Sequence, residues 1–556
     1  MRDAYSVSKV RAAEGALMAQ LPGGALMQRA AAGLASVCAG MLRDGAGGVY
    51  GARVVILAGT GDNGGDALYA GERLARRGAS VTAIQAGPHI HDEGARALIG
   101  AGGRIVPVVP PRDPDATRDD LGGPAEQGGE GRYDAGHEVR RAIGRADLII
   151  DGMLGIGGKG GLREPYATLA QLAANVRNAV TVAVDLPSGI DADTGIVAGP
   201  AVRADVTVTF GAVKPGLLID PGAGQAGVVE FVDIGLGPYL GNSPDVTAPQ
   251  ADDIAALLPR PTPESDKYRR GVLGLLTGSD RYTGAAVLAT GGAVRGGAGM
   301  VRLVTFPGAA AAVRQLHPEV VITELAGETG NRSGSAASEP SGSGPGFPED
   351  VGRVQAWAVG SGMGTDETAA RRLAAVLATP LPVLIDADGL TLLARHRELL
   401  PRPAPTLLTP HAGELGRLLD ADPADIEARR LEYARHAAAV LGACVLLKGS
   451  TTVIAPPDGL DPVLVNTTGT PWLATAGTGD VLAGLAGSLL AQGLLPPQAA
   501  ICAAYLHGLA ARFAASGVDA GDGDGQPGFY RAAAPIGASD VVTALPRAFG
   551  ALLSSA

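Results

Sequence analysis

Short runs of β-branched and aliphatic residues alternate with Ala- and Leu-rich stretches almost throughout the chain. The first clear run, RVVILA at 53–58, leads into a glycine loop and then into DALYAGERLARRG, whose apolar positions recur at helical spacing. SVTAIQAG from Ser80, ADLIID from Ala146 and AVTVAVD from Ala179 read as further strands. This strand–loop–helix rhythm predicts a parallel sheet covered by helices. A second series starts near Tyr268 with GVLGLLTG, MVRLVTF, AWAVGSG, VLIDADG, TLLTPH and CVLLKGS, and it ends in helices. A rhythm that stops and restarts implies two α/β domains, expected at 1–240 and 266–556. A linker is expected at 241–265, where GNSPDVTAPQ and LLPRPTPES concentrate Pro and small polar residues. Two Gly- and Ser-rich or acidic stretches, at about 112–137 and 327–350, read as solvated insertions.

The chain has 556 residues, enough for two large α/β domains. Its formal charge is −11 and it has no basic tract, which argues against nucleic acid and anionic membranes as partners. Small partners and neutral surfaces remain open. Three distant cysteines, Cys38, Cys444 and Cys502, form neither a disulfide framework nor a zinc spacing, as expected in a reducing cytoplasm. The first 18 residues break their apolar positions with Asp3, Lys9, Arg11 and Glu14 and read as an amphipathic helix, not a signal peptide. No run approaches about 18 uninterrupted apolar residues, so no membrane span is expected.

The candidate chemistry lies in loops. Gly59-Thr60-Gly61-Asp62-Asn63-Gly64-Gly65-Asp66 follows a predicted strand and opens a helix, a setting in which backbone N–H groups can approach a pyrophosphate. The acid that a dinucleotide reader carries at the end of its second strand is missing, because that strand ends in Gln85-Ala86-Gly87-Pro88. An ordinary NAD-dependent dehydrogenase is therefore disfavoured, while phosphate binding stands. Two more loops follow strands: Asp151-Gly152-Met153-Leu154-Gly155-Ile156-Gly157-Gly158-Lys159-Gly160-Gly161 and Asp185-Leu186-Pro187-Ser188-Gly189. A parallel sheet gathers all three at its carboxyl edge. Asn63, Asp151 and Ser188 there offer hard oxygens to a cation. In the second half, Gly477-Thr478-Gly479-Asp480 starts a helix, where small residues let N–H groups face an anion and Asp480 can take a hydroxyl proton. The plainer alternatives are an Asp helix cap at Asp480, a turn-capping carboxylate at Asp185 and a packed loop histidine at His411.

At these residues the first half resembles the epimerase domain of NAD(P)H-hydrate repair enzymes. That family carries GxGNNGGDG, D-x-x-x-G-x-G and V-D-x-P-S-G-x-D-A-D-T-G, against GTGDNGGDA, DGMLGIG and VDLPSGIDADTG in this chain. Asp62 replaces the family's Asn. The second half resembles the ribokinase-like NAD(P)H-hydrate dehydratases, whose N-x-T-G-x-x-x-x-A-T-A-G-x-G-D-V-L-x-G matches Asn466–Gly484, with Trp472-Leu473 in place of the commoner Gly-Met. The marks Gly360-Ser361-Gly362-Met363-Gly364, Asp386-Ala387-Asp388-Gly389-Leu390, Thr409-Pro410-His411-Ala412-Gly413-Glu414 and Lys448-Gly449-Ser450-Thr451-Thr452 occur in order.

The resemblance implies a Rossmann-like three-layer αβα domain followed by a ribokinase-like α/β domain. Asp62, Asn63, Gly64, Gly65, Asp66, Gly155, Ile156, Gly157, Gly158, Lys159, Gly160, Gly161 and Asp185 would hold the hydrated dinucleotide, NADHX or NADPHX. Asn63, Asp151 and Ser188 would hold K⁺, and Asp185 would be the acid/base of epimerisation. In the second domain Ala285, Gly362, His411 and Asp480 would face the hydrate, and Lys448, Gly449, Ser450, Thr451, Thr452 and Gly479 the nucleotide. Asp480 would be the catalytic base. Glu414 would organise Mg²⁺ or phosphate, or sit as a solvated helix-start residue. ADP is the favoured phosphoryl donor over ATP, and a homo-oligomer is expected. A small-molecule kinase with a dinucleotide-binding regulatory domain is the alternative. A non-enzymatic binding module in the first half is a third.

Overall fold

The computed structural model describes residues 1–108, 136–325, 347–459, 462–516 and 534–554. The chain forms two compact units, Asp3–Asp245 and Val246–Ala556, with Met1–Arg2 counted in the second.

The first unit is built on seven strands, β2 (Arg53–Ala58), β3 (Ser80–Gln85), β4 (Arg104–Pro107), β5 (Leu148–Gly152), β6 (Val180–Val184), β7 (Val206–Phe210) and β8 (Val228–Val232), after a short β1 (Arg2–Ala4). The order is β4-β3-β2-β5-β6-β7-β8 and every pairing is parallel. The continuous apolar strands follow from burial on both faces. Val54, Ile56 and Ala58 join one core with the helices Val7–Met18, Ala25–Gly45 and Asp62–Arg76, while Val55 and Leu57 join another with Gly136–Ile143 and Tyr166–Ala174. That gives three layers, αβα. The strand order turns back between β2 and β5, so the loops after those strands diverge at the carboxyl edge and leave room for a ligand.

The second unit carries an eleven-stranded sheet in the order β1-β9-β18-β17-β16-β15-β14-β13-β10-β11-β12. Its strands are β9 (Val246–Ala248), β10 (Val272–Leu276), β11 (Met300–Thr305), β12 (Val321–Glu324), β13 (Ala356–Val359), β14 (Val383–Ile385), β15 (Thr406–Leu408), β16 (Cys444–Leu447), β17 (Thr452–Ala455) and β18 (Val463–Asn466). The strands from β12 to β16 run parallel, and β17 is antiparallel to both its neighbours. The helices Thr283–Arg295 and Thr478–Ala491 pack through glycines. A Cβ on Gly484 would lie 1.9 Å from the Ala289 carbonyl, and one on Gly292 2.3 Å from that of Val481.

The stretch 241–265, expected as a linker, is part of the fold. Val246–Ala248 pairs with β18, and the helix Ala251–Leu257 sends Ile254 and Ala255 into the core, followed by Leu258. Proline and small polar residues mark the turns around a short strand as readily as a tether. The expected insertion at 112–137 lies mostly outside the described residues, and its last two residues begin the helix Gly136–Ile143. The one at 327–350 does so up to 346, after which Phe347 is buried with its ring 6.2 Å from Trp357. Two helices, Ala25–Gly45 and Pro496–Ser516, are long and apolar enough to cross a membrane. Here Leu34, Cys38 and Leu42 of the first, and Ile501, Cys502 and Leu506 of the second, pack into the two cores.

Candidate functional site

In the first unit the glycine loops interlock at the carboxyl edge of the sheet. A Cβ on Gly59 would lie 1.9 Å from the Met153 carbonyl, and one on Gly64 2.3 Å from that of Gly59, so these glycines are required by backbone packing before any ligand is considered. Gly65 is likewise buried, against Met27 and His91, whereas Gly61 and Gly160 have open space where a side chain would be. Asn63 ties the loops together, its amide donating to the Val184 carbonyl at 2.7 Å and the Leu154 carbonyl at 3.1 Å.

Asp151 is completely buried. Its carboxylate accepts from the Ser188 hydroxyl at 2.7 Å, the Ser188 N–H at 2.8 Å and the Met153 N–H at 3.3 Å. It has no basic partner among the described residues, and burial pushes its carboxyl up to about 6, against those hydrogen bonds. The donor set suits a hard monovalent cation: a buried unneutralised carboxylate, the Ser188 hydroxyl, the Asn63 amide and the Leu154 and Val184 carbonyls.

Asp185 does not cap the Pro-Ser-Gly turn. It sits in the left-handed region at φ 65° directly after β6, a conformation rare outside glycine and concentrated at functional sites. Its Oδ1 accepts from the Lys214 ammonium, the Thr209 hydroxyl at 3.2 Å and the Phe210 N–H at 3.2 Å. Asp66 is also buried, one carboxylate oxygen has no partner, and burial followed by repulsion from Asp185, Asp62 and Glu14 raises its carboxyl well above the usual range. Burial likewise raises Glu14, half-buried on the helix Val7–Met18, partly offset by the Lys214 ammonium. Asp62, Gly157 and Lys159 are exposed at the rim, and Gly155, Ile156, Gly158 and Gly161 are half-buried. A side chain at Gly157 would meet the Arg11 guanidinium at 3.3 Å.

In the second unit the segments after β10, β13, β14, β15 and β16 converge with the start of the helix Thr478–Ala491. The Ser361 carbonyl accepts from the Thr277 hydroxyl at 2.5 Å and the Gly278 N–H at 2.8 Å. Gly362, at φ 66°, leaves no space for a Cβ, which would lie 2.8 Å from the Tyr282 Cβ and 3.1 Å from that of Ala285. Asp480 is the third residue of the helix, whose cap is Gly477, so it is no N-cap. Burial pushes its carboxyl up to about 6, with a Ser361 hydrogen bond and the Lys448 ammonium acting against it and Asp386 and Asp388 with it.

Lys448 binds Asp386 Oδ1 at 2.7 Å and faces Glu414 Oε2 at 3.5 Å. Burial works against its charge, but the two carboxylates prevail and hold the ammonium above its ordinary value. Its Nζ lies 3.7 Å from where a Cβ on Gly479 would be. Glu414 is buried, which removes the solvated reading, and its Oε2 also accepts from the His411 N–H at 2.8 Å. That oxygen is engaged by His411 and Lys448, while Oε1 faces the His411 ring nitrogen at 3.6 Å. His411 caps the helix Ala412–Leu419 through Nδ1, which accepts from the Gly413 N–H at 3.0 Å, and its ring is exposed rather than packed in the core. Gly449 and Ser450 are exposed, Thr451 is buried and Thr452 begins β17.

Two family models match the chain: "YjeF-related protein N-terminus" over residues 23–216 and "NAD(P)H-hydrate dehydratase" over 273–520. The chain is 45% identical over 503 residues to the bifunctional NAD(P)H-hydrate repair enzyme Nnr of Mycobacterium tuberculosis (strain CDC 1551 / Oshkosh), covering 90% of this chain and 91% of the relative. It is 43% identical over 555 residues to that of Mycobacterium leprae (strain TN), covering 99% and 100%. The chain belongs to the bifunctional NAD(P)H-hydrate repair enzymes. Among solved structures, it is 28% identical to an ADP/ATP-dependent NAD(P)H-hydrate dehydratase from Bacillus subtilis co-crystallized with ATP/Mg2+, covering 55% of this chain and 97% of that one with a TM-score of 0.43.

Within that family frame, three charged residues of this chain escape sequence reasoning. Lys214 is 1% exposed and pairs with Asp185, but GAVKPG reads as an ordinary turn. Asp386 stands in a recognised string, yet nothing in the string marks it as the partner of Lys448. Arg430 is buried in the helix Arg430–Leu441 and donates to the carbonyls of Leu447 at 3.3 Å, Lys448 at 2.8 Å and Thr451 at 3.1 Å, bracing the loop after β16 from below. A lone arginine in a helical stretch gives no such signal.

Proposed function

We propose that the first unit interconverts the R and S epimers of hydrated NADH and NADPH, and that the second dehydrates the S epimer with ADP, releasing phosphate and AMP. The observation that carries this reading is a carboxylate drawn back from solvent at the carboxyl edge of each sheet, buried Asp185 in the first and half-buried Asp480 in the second, in a chain matched over 99% of its length by a bifunctional relative. The pairing is chemically sensible, because a dehydratase selective for one epimer would leave the other waiting.

In the first unit, residues 62–66 and 155–161 would hold the dinucleotide. Asp185 would carry the proton that accompanies loss and return of the C6 hydroxyl. K⁺ would be held by Asn63, Asp151 and Ser188 with the carbonyls beside them; it would neutralise Asp151 and fix the loops after β2, β5 and β6. In the second unit, Asp480 would take the proton of the C6 hydroxyl as its oxygen attacks the terminal phosphoryl group of ADP, and the bond to AMP breaks. The ring nitrogen then expels phosphate, a far better leaving group than hydroxide, and loss of the C5 proton restores the ring double bond. Residues 448–452 and Gly479 would position the nucleotide, with Lys448 supplying positive charge. Mg²⁺ would enter with the nucleotide, most of its ligands being phosphate oxygens and water. Ala285, Gly362 and His411 would border the hydrate. Acting on small molecules, without nucleic acid or membrane, in the cytoplasm and as a homo-oligomer, completes the reading.

The test is the R epimer alone. Without nucleotide it should relax to the R/S mixture faster than in buffer. With ADP it should be consumed fully, at a rate limited by neither spontaneous epimerisation nor nucleotide. Relaxation at the buffer rate contradicts the epimerase half.

A further inference from the structure

All the hydrogen bonds that Asp185 accepts through its side chain converge on one oxygen. Oδ1 receives the Lys214 ammonium, the Thr209 hydroxyl and the Phe210 N–H. Oδ2 has no hydrogen-bond partner among the described residues and is not enclosed, the side chain keeping 11% exposure. The carboxylate is therefore polarised by position, with one oxygen saturated by the protein and the other left without a protein partner.

Lys214 is the anchor of that arrangement. It is 1% exposed, and besides Asp185 it donates to the Thr209 hydroxyl at 3.1 Å and the Phe210 carbonyl at 3.4 Å. A buried ammonium with its donors spent on one carboxylate and two β7 acceptors has no freedom to meet a ligand itself. The backbone supports the same placement. Asp185 holds a left-handed conformation, its N–H donates to the Val208 carbonyl at 2.8 Å, and the strained turn fixes which way the carboxylate leaves the strand. Such strain persists where the surroundings over-determine the conformation.

We infer that Lys214 is a positioning residue for epimerisation, holding Oδ1 of Asp185 so that Oδ2 alone meets the C6 hydroxyl of the hydrated ring. The inference rests on the reading of Asp185 as the epimerase acid/base. An ion pair placed this way acts on turnover more than on binding, because displacement of a reacting group by about 1 Å costs on the order of 10²-fold in rate.

The experiment uses the full chain and compares Lys214→Ala, Lys214→Met and Asp185→Asn by epimerisation of the R epimer without nucleotide. Lys214→Ala should lower kcat by about 10²-fold while KM changes less than about threefold. Methylammonium added to Lys214→Ala should restore at least about a tenth of the lost turnover. Methanol, of similar size and uncharged, should restore none, which separates positioning by the ammonium from simple filling of the space. Lys214→Met keeps the side-chain volume and guards against collapse of the pocket; it should melt lower, since Asp185 loses its ammonium, yet remain folded at the assay temperature by circular dichroism and show the same kcat loss. Wild-type kcat in Lys214→Met, a loss expressed in KM alone, or equal rescue by methanol overturns the inference. If Asp185→Asn keeps full epimerisation, the acid/base reading fails instead, whatever Lys214 does.

Discussion

The Lys448 ammonium is 2.7 Å from the Asp386 carboxylate, and that carboxylate also accepts from the Thr409 hydroxyl at 2.9 Å. The pair joins the ends of β14, β15 and β16 beneath the start of the helix that carries Asp480. Removing Asp386 takes away the nearer of the two carboxylates that balance Lys448. The lysine side chain is 20% exposed and keeps Glu414 at 3.5 Å, so the cost is below the roughly 3–5 kcal/mol of a fully buried charge left unpaired. Asp386→Ala should therefore lower the melting transition of the second unit by several degrees and raise the KM for ADP. Unfolding followed by calorimetry, with and without ADP, checks both effects.

Asp480→Asn should abolish dehydration, by at least about 10²-fold, and leave epimerisation unchanged. The wild-type enzyme should show the corresponding pH dependence. A base must be ionised, burial has pushed this carboxyl up to about 6, and so turnover should fall about tenfold per pH unit as pH drops below about 6. Dehydration rates between pH 5 and 8 at saturating ADP are the measurement. An acid limb near 4 would point to a different base.

Asp151 gives the cation a signature other than activity. Its carboxyl has a folded-state value raised from the ordinary 3.8 to about 6, so its contribution to stability is greatest at low pH and is lost as pH rises through about 6 unless a cation neutralises it. K⁺ should thus raise the melting temperature of the first unit more at pH 7 than at pH 5. A concentration of 100 times Kd is worth about 2.7 kcal/mol. Asp151→Asn should remove the K⁺ effect at both pH values.

What the chain displays in its sequence is the chemistry that lies along it. The glycine loops, Asp185 and Asp480 stand out because loops must be built from particular residues in a particular order. What it hides is the chemistry that the fold assembles from a distance. Lys214 and Asp185 are 29 positions apart and Lys448 and Asp386 are 62 apart, so neither pair leaves a local pattern. The misread linker has another cause. Val246, Thr247 and Ala248 are all buried, in a strand too short to stand out beside the prolines around it.

Gly449→Ala should damage nucleotide binding by displacing the loop that would hold the nucleotide. A Cβ there would lie 2.1 Å from the Arg430 guanidinium, which is held by three carbonyls and by Glu427 and has nowhere to go. The loop after β16 must shift instead. Dehydration should show a KM for ADP raised about tenfold or more, about 1.4 kcal/mol, with epimerisation unaltered. Steady-state kinetics with varied ADP decide it.

The most direct measurement of the central claim is full product accounting for hydrated NADH mixed with the enzyme and ADP. NADH absorbance should return for both epimers, with one AMP and one inorganic phosphate per NADH formed. A stable phosphorylated product, with AMP released but neither phosphate nor NADH, would contradict it and make the second unit a small-molecule kinase.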